Sequence, residues 1–257
     1  MTFHPHPKEI LGTPAEPMRY ITPLPDKIKH IKELGIDKLY VVNFTKEFAT
    51  LTQQQFVDQY LIALGVKHVV AGFDFTYGQF GSGTMETLPQ QARGNFSCTL
   101  VDKVTRTDEK ISSTRVRKML TAGNVEQIPD DLGRSYEVRG EVIDGDKRGR
   151  TIGFPTANIK LTERYVIPRT GVYAVNVELE GELYQGVCNV GYKPTFNKVE
   201  EGLPSIEVHI LDFNREIYGK LLTVRWLKRI RSEQRFSGIE ALVEQINRDK
   251  QVAIEFF

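Results

Sequence analysis

The sequence predicts two domains of different class: a parallel α/β domain, then an all-β domain that ends in one helix. Three observations predict it. The 257 residues are enough for two domains, at about 100–200 residues each. Up to Leu132, short apolar runs alternate with helical patterns, as in parallel α/β folds. From Tyr136 the pattern changes to strands separated by turns at hairpin spacing. Gly133 marks the boundary, giving domains 1–132 and 133–257.

The first element is short. Met1, Thr2 and Phe3 read as the end of a strand, and Pro5 and Pro7 then block regular helix or central strand. A domain that opens on the end of a strand is expected to be incomplete. Ile28, Ile31 and Leu34 recur at helical spacing before Gly35, which predicts a helix over 26–34. Residues 38–44 and 67–71 are short β-branched apolar runs, the pattern of buried strands. Between them, Phe56, Tyr60 and Leu64 share one face of a helix predicted over 52–64. Residues 72–83 follow with four glycines and Asp74, where α/β folds carry ligand loops. The same stretch also fits a plain glycine-rich surface loop.

Residues 94–104 read as another strand. Ser112, Ser113 and Thr114 are good N-cap residues for a helix that runs to Ala122. Arg115 and Arg117 fall in its first turn, where the helix dipole disfavours positive charge. A phosphate bound at the helix start would offset that cost; solvated arginines fit as well. Residues 124–132 form a short helix and linker.

In the second domain, strands are predicted over Tyr136–Ile143, Gly171–Leu179, 182–190, Ser205–Ile210 and 221–227, as a barrel or a sandwich. Ile239, Leu242, Val243 and Ile246 lie on one face of a final amphipathic helix.

Residues 145–158 (GDKRGRTIGFPTAN) join the first two of these strands with three glycines, one lysine, two arginines and a Thr-x-Asn pair. Glycine lets a backbone approach a ligand and aim its N–H groups at it. Lysine and arginine neutralise phosphate. A threonine hydroxyl and an asparagine carbonyl are neutral oxygen ligands suited to hydrated Mg²⁺. The stretch reads as a nucleotide–Mg²⁺ loop, though it is neither a Walker loop nor a GxGxxG turn. A charged hairpin loop is the alternative.

Composition is that of a soluble globular protein, 40% apolar and 26% charged. Lys+Arg 34 against Asp+Glu 33 leaves a net charge of +1, so nothing points to nucleic acid or a membrane as partner. No apolar run approaches a membrane span, and residues 1–7 carry no apolar signal region. Cys98 and Cys188 lie far apart without a CxxC, which argues against a disulfide framework or zinc site and for a cytoplasmic setting.

Residues 149–158 (GRTIGFPTAN), Ser205–Ile210 (SIEVHI) and 231–236 (RSEQRF), followed by Leu242, Gln245, Ile246 and Asp249, closely resemble the riboflavin kinase family. Thr2-Phe3-x-Pro5-His6-Pro7, residues 72–78 (GFDFTYG) and 111–117 (ISSTRVR) are similar to the FMN adenylyltransferase module that precedes the kinase in bacterial bifunctional FAD synthetases. The family's opening strand, with its HxGH turn, has no counterpart here. The resemblance therefore implies an N-terminally incomplete Rossmann-like nucleotidyltransferase domain, its activity impaired, followed by a complete antiparallel β-barrel kinase domain.

The resemblance also implies roles. Glu207 is the catalytic base; a glutamate is ionised at neutral pH and accepts a hydroxyl proton. Gly145, Lys147, Gly149, Arg150, Gly153, Thr156 and Asn158 hold ATP, and Thr156 and Asn158 also hold Mg²⁺. Arg231 contacts the flavin. His6, Asp74, Ser113, Thr114 and Arg115 hold the nucleotide of the adenylyltransferase. The substrates are riboflavin, FMN and ATP. From the strand pattern alone, Glu207 fits an outward polar residue, and Thr156 and Asn158 fit a turn. A flavin-binding module without catalysis is the alternative function.

Overall fold

The computed structural model describes residues 1–12, 17–145, 148–192 and 204–257. The chain divides into two compact units, Met1–Met18 with Leu24–Ile111, and Arg19–Pro23 with Ser112–Phe257.

The first unit runs β1 (Thr2–His4), α1 (Pro7–Leu11), α2 (Leu24–Glu33), β2 (Val41–Asn43), α3 (Lys46–Ala49), α4 (Gln53–Val57), β3 (His68–Gly72), β4 (Thr76–Tyr77), β5 (Gly83–Thr84), α5 (Leu88–Ala92), β6 (Ser97–Val101), β7 (Thr105–Arg106) and β8 (Glu109–Lys110). β1 pairs β2, and β3 pairs β6, both parallel as expected of an α/β unit. The core gathers Phe56, Val57, Tyr77, Leu88 and Phe96. Phe56 stacks on Tyr60 with ring centroids 5.7 Å apart.

Three expectations are corrected here. The helix expected over 52–64 is α-helical only through Val57; Asp58–Ile62 is a π turn. The wider turn shifts the buried face, so Leu61 is buried and Leu64 exposed. The strands expected over 38–44 and 67–71 are shorter and not fully buried, with Val70 61% exposed. Each belongs to a two-stranded sheet, so part of its surface lacks cover among the described residues. Helix α2 buries no residue, and Leu34 lies beyond its end, exposed.

The second unit adds α6 (Ser113–Ala122), α7 (Ile128–Leu132), β9 (Tyr136–Ile143), α8 (Arg148–Thr151), β10 (Ala157–Leu161), β11 (Gly171–Leu179), β12 (Glu182–Gly191), β13 (Ser205–Ile210), β14 (Leu221–Arg231) and α9 (Ile239–Phe256). The six strands close a barrel in the order β10-β13-β12-β11-β14-β9, every neighbour antiparallel. Alternation fills it: Ile206, Val208 and Ile210 of β13 point inward while Ser205, Glu207 and His209 point out. Trp226 and Tyr136 stack in the interior, centroids 5.8 Å apart, and are fully buried.

Strand β10 does not appear in the sequence reading, which lets Thr156 and Asn158 close a turn. Ala157 and Ile159 instead face the core, and β10 pairs with β9 on one edge and β13 on the other, so it is the strand that closes the barrel. Residues 112–132 also pack with this unit, since Val116, Leu120, Val125 and Ile128 join the barrel's core. Compactness thus divides the chain before Ser112, whereas the sequence pattern divides it at Gly133.

Arg19–Pro23 is a short strap on this unit. Tyr20 N donates to Arg164 O (2.7 Å) and Val166 N to Tyr20 O (3.0 Å). Arg117 Nη2 donates to Arg19 O (2.7 Å), Arg134 Nη2 to Thr22 Oγ1 (2.9 Å), and Ile21 is buried in the core.

Candidate active site

The site grows from the β9–β10 connection. Gly145 lies against the carboxamide of Asn158: a Cβ built there would overlap the amide nitrogen and stand 2.8 Å from Oδ1. A Cβ at Gly149, in α8, would overlap the Phe154 carbonyl and stand 3.4 Å from Thr156 Oγ1. These two glycines let the connection fold down onto the start of β10, a close approach no other residue permits. Phe154 N donates back to Gly149 O (2.8 Å), and Gly153 turns the chain at φ 86°. Thr156 is exposed at the edge of the fold; Asn158 is 8% exposed beneath it. Lys147 and the side chain of Arg150 lie outside the described residues.

Strand β13 brings Glu207 to this place. Glu207 pairs with Asn158 of β10 on one side and Asn189 of β12 on the other. Paired residues of an antiparallel ladder have Cβ atoms about 4.5–5.5 Å apart. The carboxylate therefore stands on the outer face of the barrel between two asparagines, beside the glycine connection. His209, two residues on and on the same face, pins the connection down: its Nδ1–H donates to Pro155 O (2.8 Å), and its ring meets Phe154 edge-on at 5.7 Å. Sequence reasoning missed His209, although the period of two from Glu207 was a signal for it.

Arg231, at the end of β14, is held by α9. Its Nε and Nη2 fork onto Asp249 (2.8 and 2.7 Å), and Gln245 Nε2 donates to the same carboxylate (2.9 Å). Asp249 is 3% exposed. The guanidinium thus fastens α9 to the barrel. Inside the barrel, burial pushes the Tyr173 hydroxyl up to about 12, and it donates to Arg169 O.

The remaining expected residues fall in both units. In the first, His6 caps α1, its Nδ1 accepting from Lys8 N (3.1 Å). Asp74 pairs with Lys110, whose ammonium also stands 4.6 Å over the Phe73 ring. The hydrogen bond from Lys110 holds the Asp74 carboxyl below the ordinary range. In the second unit, Ser112, not Ser113 or Thr114, caps α6, accepting from Arg115 N (3.3 Å). The first-turn arginines have protein partners in place of a required phosphate. Arg115 Nε donates to the carboxylate of Asp131 (2.7 Å), whose side chain is fully buried, and Arg117 to the Arg19 carbonyl.

Residues 1–115 match the family model for FAD synthetase, and residues 132–257 that for riboflavin kinase. A bifunctional riboflavin kinase/FMN adenylyltransferase of Bacillus subtilis is 56% identical over the whole chain and 81% of the relative. The chain belongs to the bifunctional riboflavin kinase/FMN adenylyltransferase family. A member from Escherichia coli K12 is 39% identical over all of this chain and 82% of its own. A crystal structure described as a macrolide-efflux protein of Streptococcus pneumoniae superposes with a TM-score of 0.89 at 38% identity, covering 98% of this chain and 81% of that one. Among the described residues, no helix is long and apolar enough to cross a membrane.

Proposed function

We propose that this chain makes FMN from riboflavin and ATP on the outer face of its barrel, and that it carries the family's second reaction, joining FMN and ATP into FAD and pyrophosphate. One observation carries the kinase reading: Glu207 and Asn158 share a register position beside a connection folded tightly by Gly145 and Gly149. By lineage, residues 133–257 serve the kinase and residues 1–132 the adenylyltransferase.

Phosphoryl transfer depends on positioning and charge neutralisation. The backbone of Gly145, Gly149 and Gly153, with Lys147 and Arg150, cradles the ATP phosphates. Thr156 Oγ1 and Asn158 Oδ1 fit Mg²⁺: both are neutral oxygens gathered under one connection, the kind of donor that shares a metal with phosphates. When bound, that ion neutralises charge on the phosphates. Glu207 takes the proton of the terminal ribityl hydroxyl. The hydroxyl oxygen bonds to the γ-phosphorus, the bond from that phosphorus to the bridging oxygen breaks, and ADP leaves. Arg231 acts by holding α9 in place at the flavin site, since its guanidinium is forked onto Asp249. For the adenylyltransferase, His6, Asp74, Ser113 and Thr114 serve the nucleotide, and Arg115 holds α6 on α7. The protein works in the cytoplasm.

Chromatography of flavins after incubation tests both reactions. Riboflavin with ATP and Mg²⁺ is expected to give FMN, and FMN with ATP to give FAD. Flavin binding without any FMN formed would overturn the kinase reading in favour of a binding module.

A further inference from the structure

The ladder that carries Glu207 stops one step short of the connection it serves. Strands β10 and β13 pair at Ile159 with Ile206, Asn158 with Glu207 and Ala157 with Val208. The next step would set Thr156 opposite His209, and the ladder ends before it. Pro155 lies beyond, and a proline brings no N–H to a ladder. Its carbonyl still needs a donor. His209 supplies one from its side chain, Nδ1–H donating to Pro155 O (2.8 Å). The imidazole stands in for the missing rung. A carbonyl only accepts, so the neutral ring keeps its proton on Nδ1 and leaves Nε2 bare.

The same short segment is gripped from the other side. Phe154 N donates to Gly149 O (2.8 Å), and the Phe154 carbonyl fills the space a side chain at position 149 would need. The Phe154 ring meets the imidazole at 76°. A residue before proline is itself confined to extended backbone. Phe154 and Pro155 are thus held between Gly149 and His209, and Thr156 follows directly. Thr156 is exposed, and its hydroxyl makes no hydrogen bond among the described residues. Its place is set by the residue before it. Resting on the kinase reading above, we infer that His209 is a positioning residue of the kinase. Through the Pro155 carbonyl it fixes Thr156 toward the nucleotide, and it touches no substrate itself. One strand then supplies both the base and its brace, Glu207 and His209, on the same outer face.

Three substitutions separate the hydrogen bond from the ring. His209→Phe keeps the edge contact with Phe154 and removes the donor. His209→Asn places an amide N–H where Nδ1–H stands, and His209→Gln carries its amide one bond too far. His209→Phe and His209→Gln are expected to lower kcat/KM for ATP in the kinase reaction about tenfold, the size of one lost hydrogen bond. The KM for riboflavin is expected to stay within about twofold, since the interaction lost serves the nucleotide alone. His209→Asn is expected to recover most of the loss. In ¹H–¹⁵N spectra of the free protein, the Thr156 and Asn158 amides are expected to shift in His209→Phe and return in His209→Asn. The neutral wild-type imidazole is expected to carry its proton on Nδ1. Wild-type ATP kinetics in His209→Phe, an equal loss in His209→Asn and His209→Gln, a matching rise in the riboflavin KM, or a neutral ring protonated on Nε2 overturns the inference. The Asn and Gln variants decide alone if His209→Phe does not fold. If the wild-type chain makes no FMN, the kinase reading fails, and the spectra still decide whether His209 sets Thr156.

Discussion

Gly145 and Asn158 are in such close approach that a single methyl group at position 145 would occupy the space of the Asn158 carboxamide. The pair links the end of β9 to the second residue of β10, and through it to Glu207. Gly145→Ala must displace either the amide or the connection. A displacement on the order of 1 Å costs about a hundredfold in positioning-dependent catalysis. We expect riboflavin kinase kcat/KM to fall by about that factor, with the barrel's thermal unfolding little changed. The single tryptophan, Trp226, is fully buried in the barrel interior and reports that unfolding by fluorescence.

Glu207→Gln keeps the size and outward place of the side chain and removes its basicity. A positioned general base contributes about 10²–10⁴-fold. The expected outcome is a kcat loss of at least about 10², with the KM for riboflavin within a few-fold. A variant that retained wild-type kcat would exclude Glu207 as the base.

The fork between Arg231 and Asp249 joins β14 to α9, with side-chain exposures of 19% and 4%. Removing one partner leaves the other charge buried and uncompensated, at about 3–5 kcal/mol for a fully buried pair. Arg231→Ala is expected to destabilise the second unit by about 3 kcal/mol at neutral pH, read from denaturant unfolding followed at Trp226. Replacing both residues with apolar ones of similar volume is expected to recover most of the loss.

Lys110 holds the Asp74 carboxyl below its ordinary range. A depressed folded pKa means that the carboxylate form favours the fold. That contribution is present above the unfolded pKa of about 3.9 and disappears as pH falls through the lower folded value. Both groups are largely exposed, so the effect on stability is small. Carboxyl chemical shifts give the direct test: Lys110→Met is expected to move the Asp74 titration upward. An unmoved titration would mean that the pair is not formed in solution.

Ile21 is the apolar member of the Arg19–Pro23 strap and is 9% exposed. Ile21→Ala is expected to destabilise the second unit by about 2 kcal/mol, again followed at Trp226. Loss of stability confined to the first unit would contradict the packing described for the strap.

Much of the barrel was legible in the sequence. Tyr136–Ile143, Gly171–Leu179 and Ser205–Ile210 are strands with the bounds their alternation suggested. Strand β10 was not, because Ala157, Ile159 and Leu161 alternate for only five residues immediately after a glycine-rich stretch. In the first unit, the helical face drawn through Phe56, Tyr60 and Leu64 assumed 3.6 residues per turn, which the π turn at Asp58–Ile62 breaks. Local spacing also says nothing about partners far along the chain. Arg115 looked like a phosphate ligand because Asp131, its partner, is sixteen residues away on another helix. At the candidate site, the glycines and the Thr-x-Asn pair suggested a ligand loop, the reading proposed above. The strand pattern alone did not distinguish Glu207 from any outward residue of a half-exposed strand; the motif resemblance singled it out, and its register beside Asn158 supports the proposed role.

The strap has a consequence for the order of events during synthesis. Arg19 and Thr22 leave the ribosome early, yet Arg117 and Arg134 follow them by 98 and 112 residues. Arg164 and Val166, which take the Tyr20 backbone, emerge later still. Closing a loop that long carries an entropic cost and slows folding. The stretch that interrupts the first unit must therefore wait, unpaired, until the first two of the six barrel strands have been made. A strictly vectorial account does not fit it: one of the first pieces of thread is held back for a stitch in the second unit.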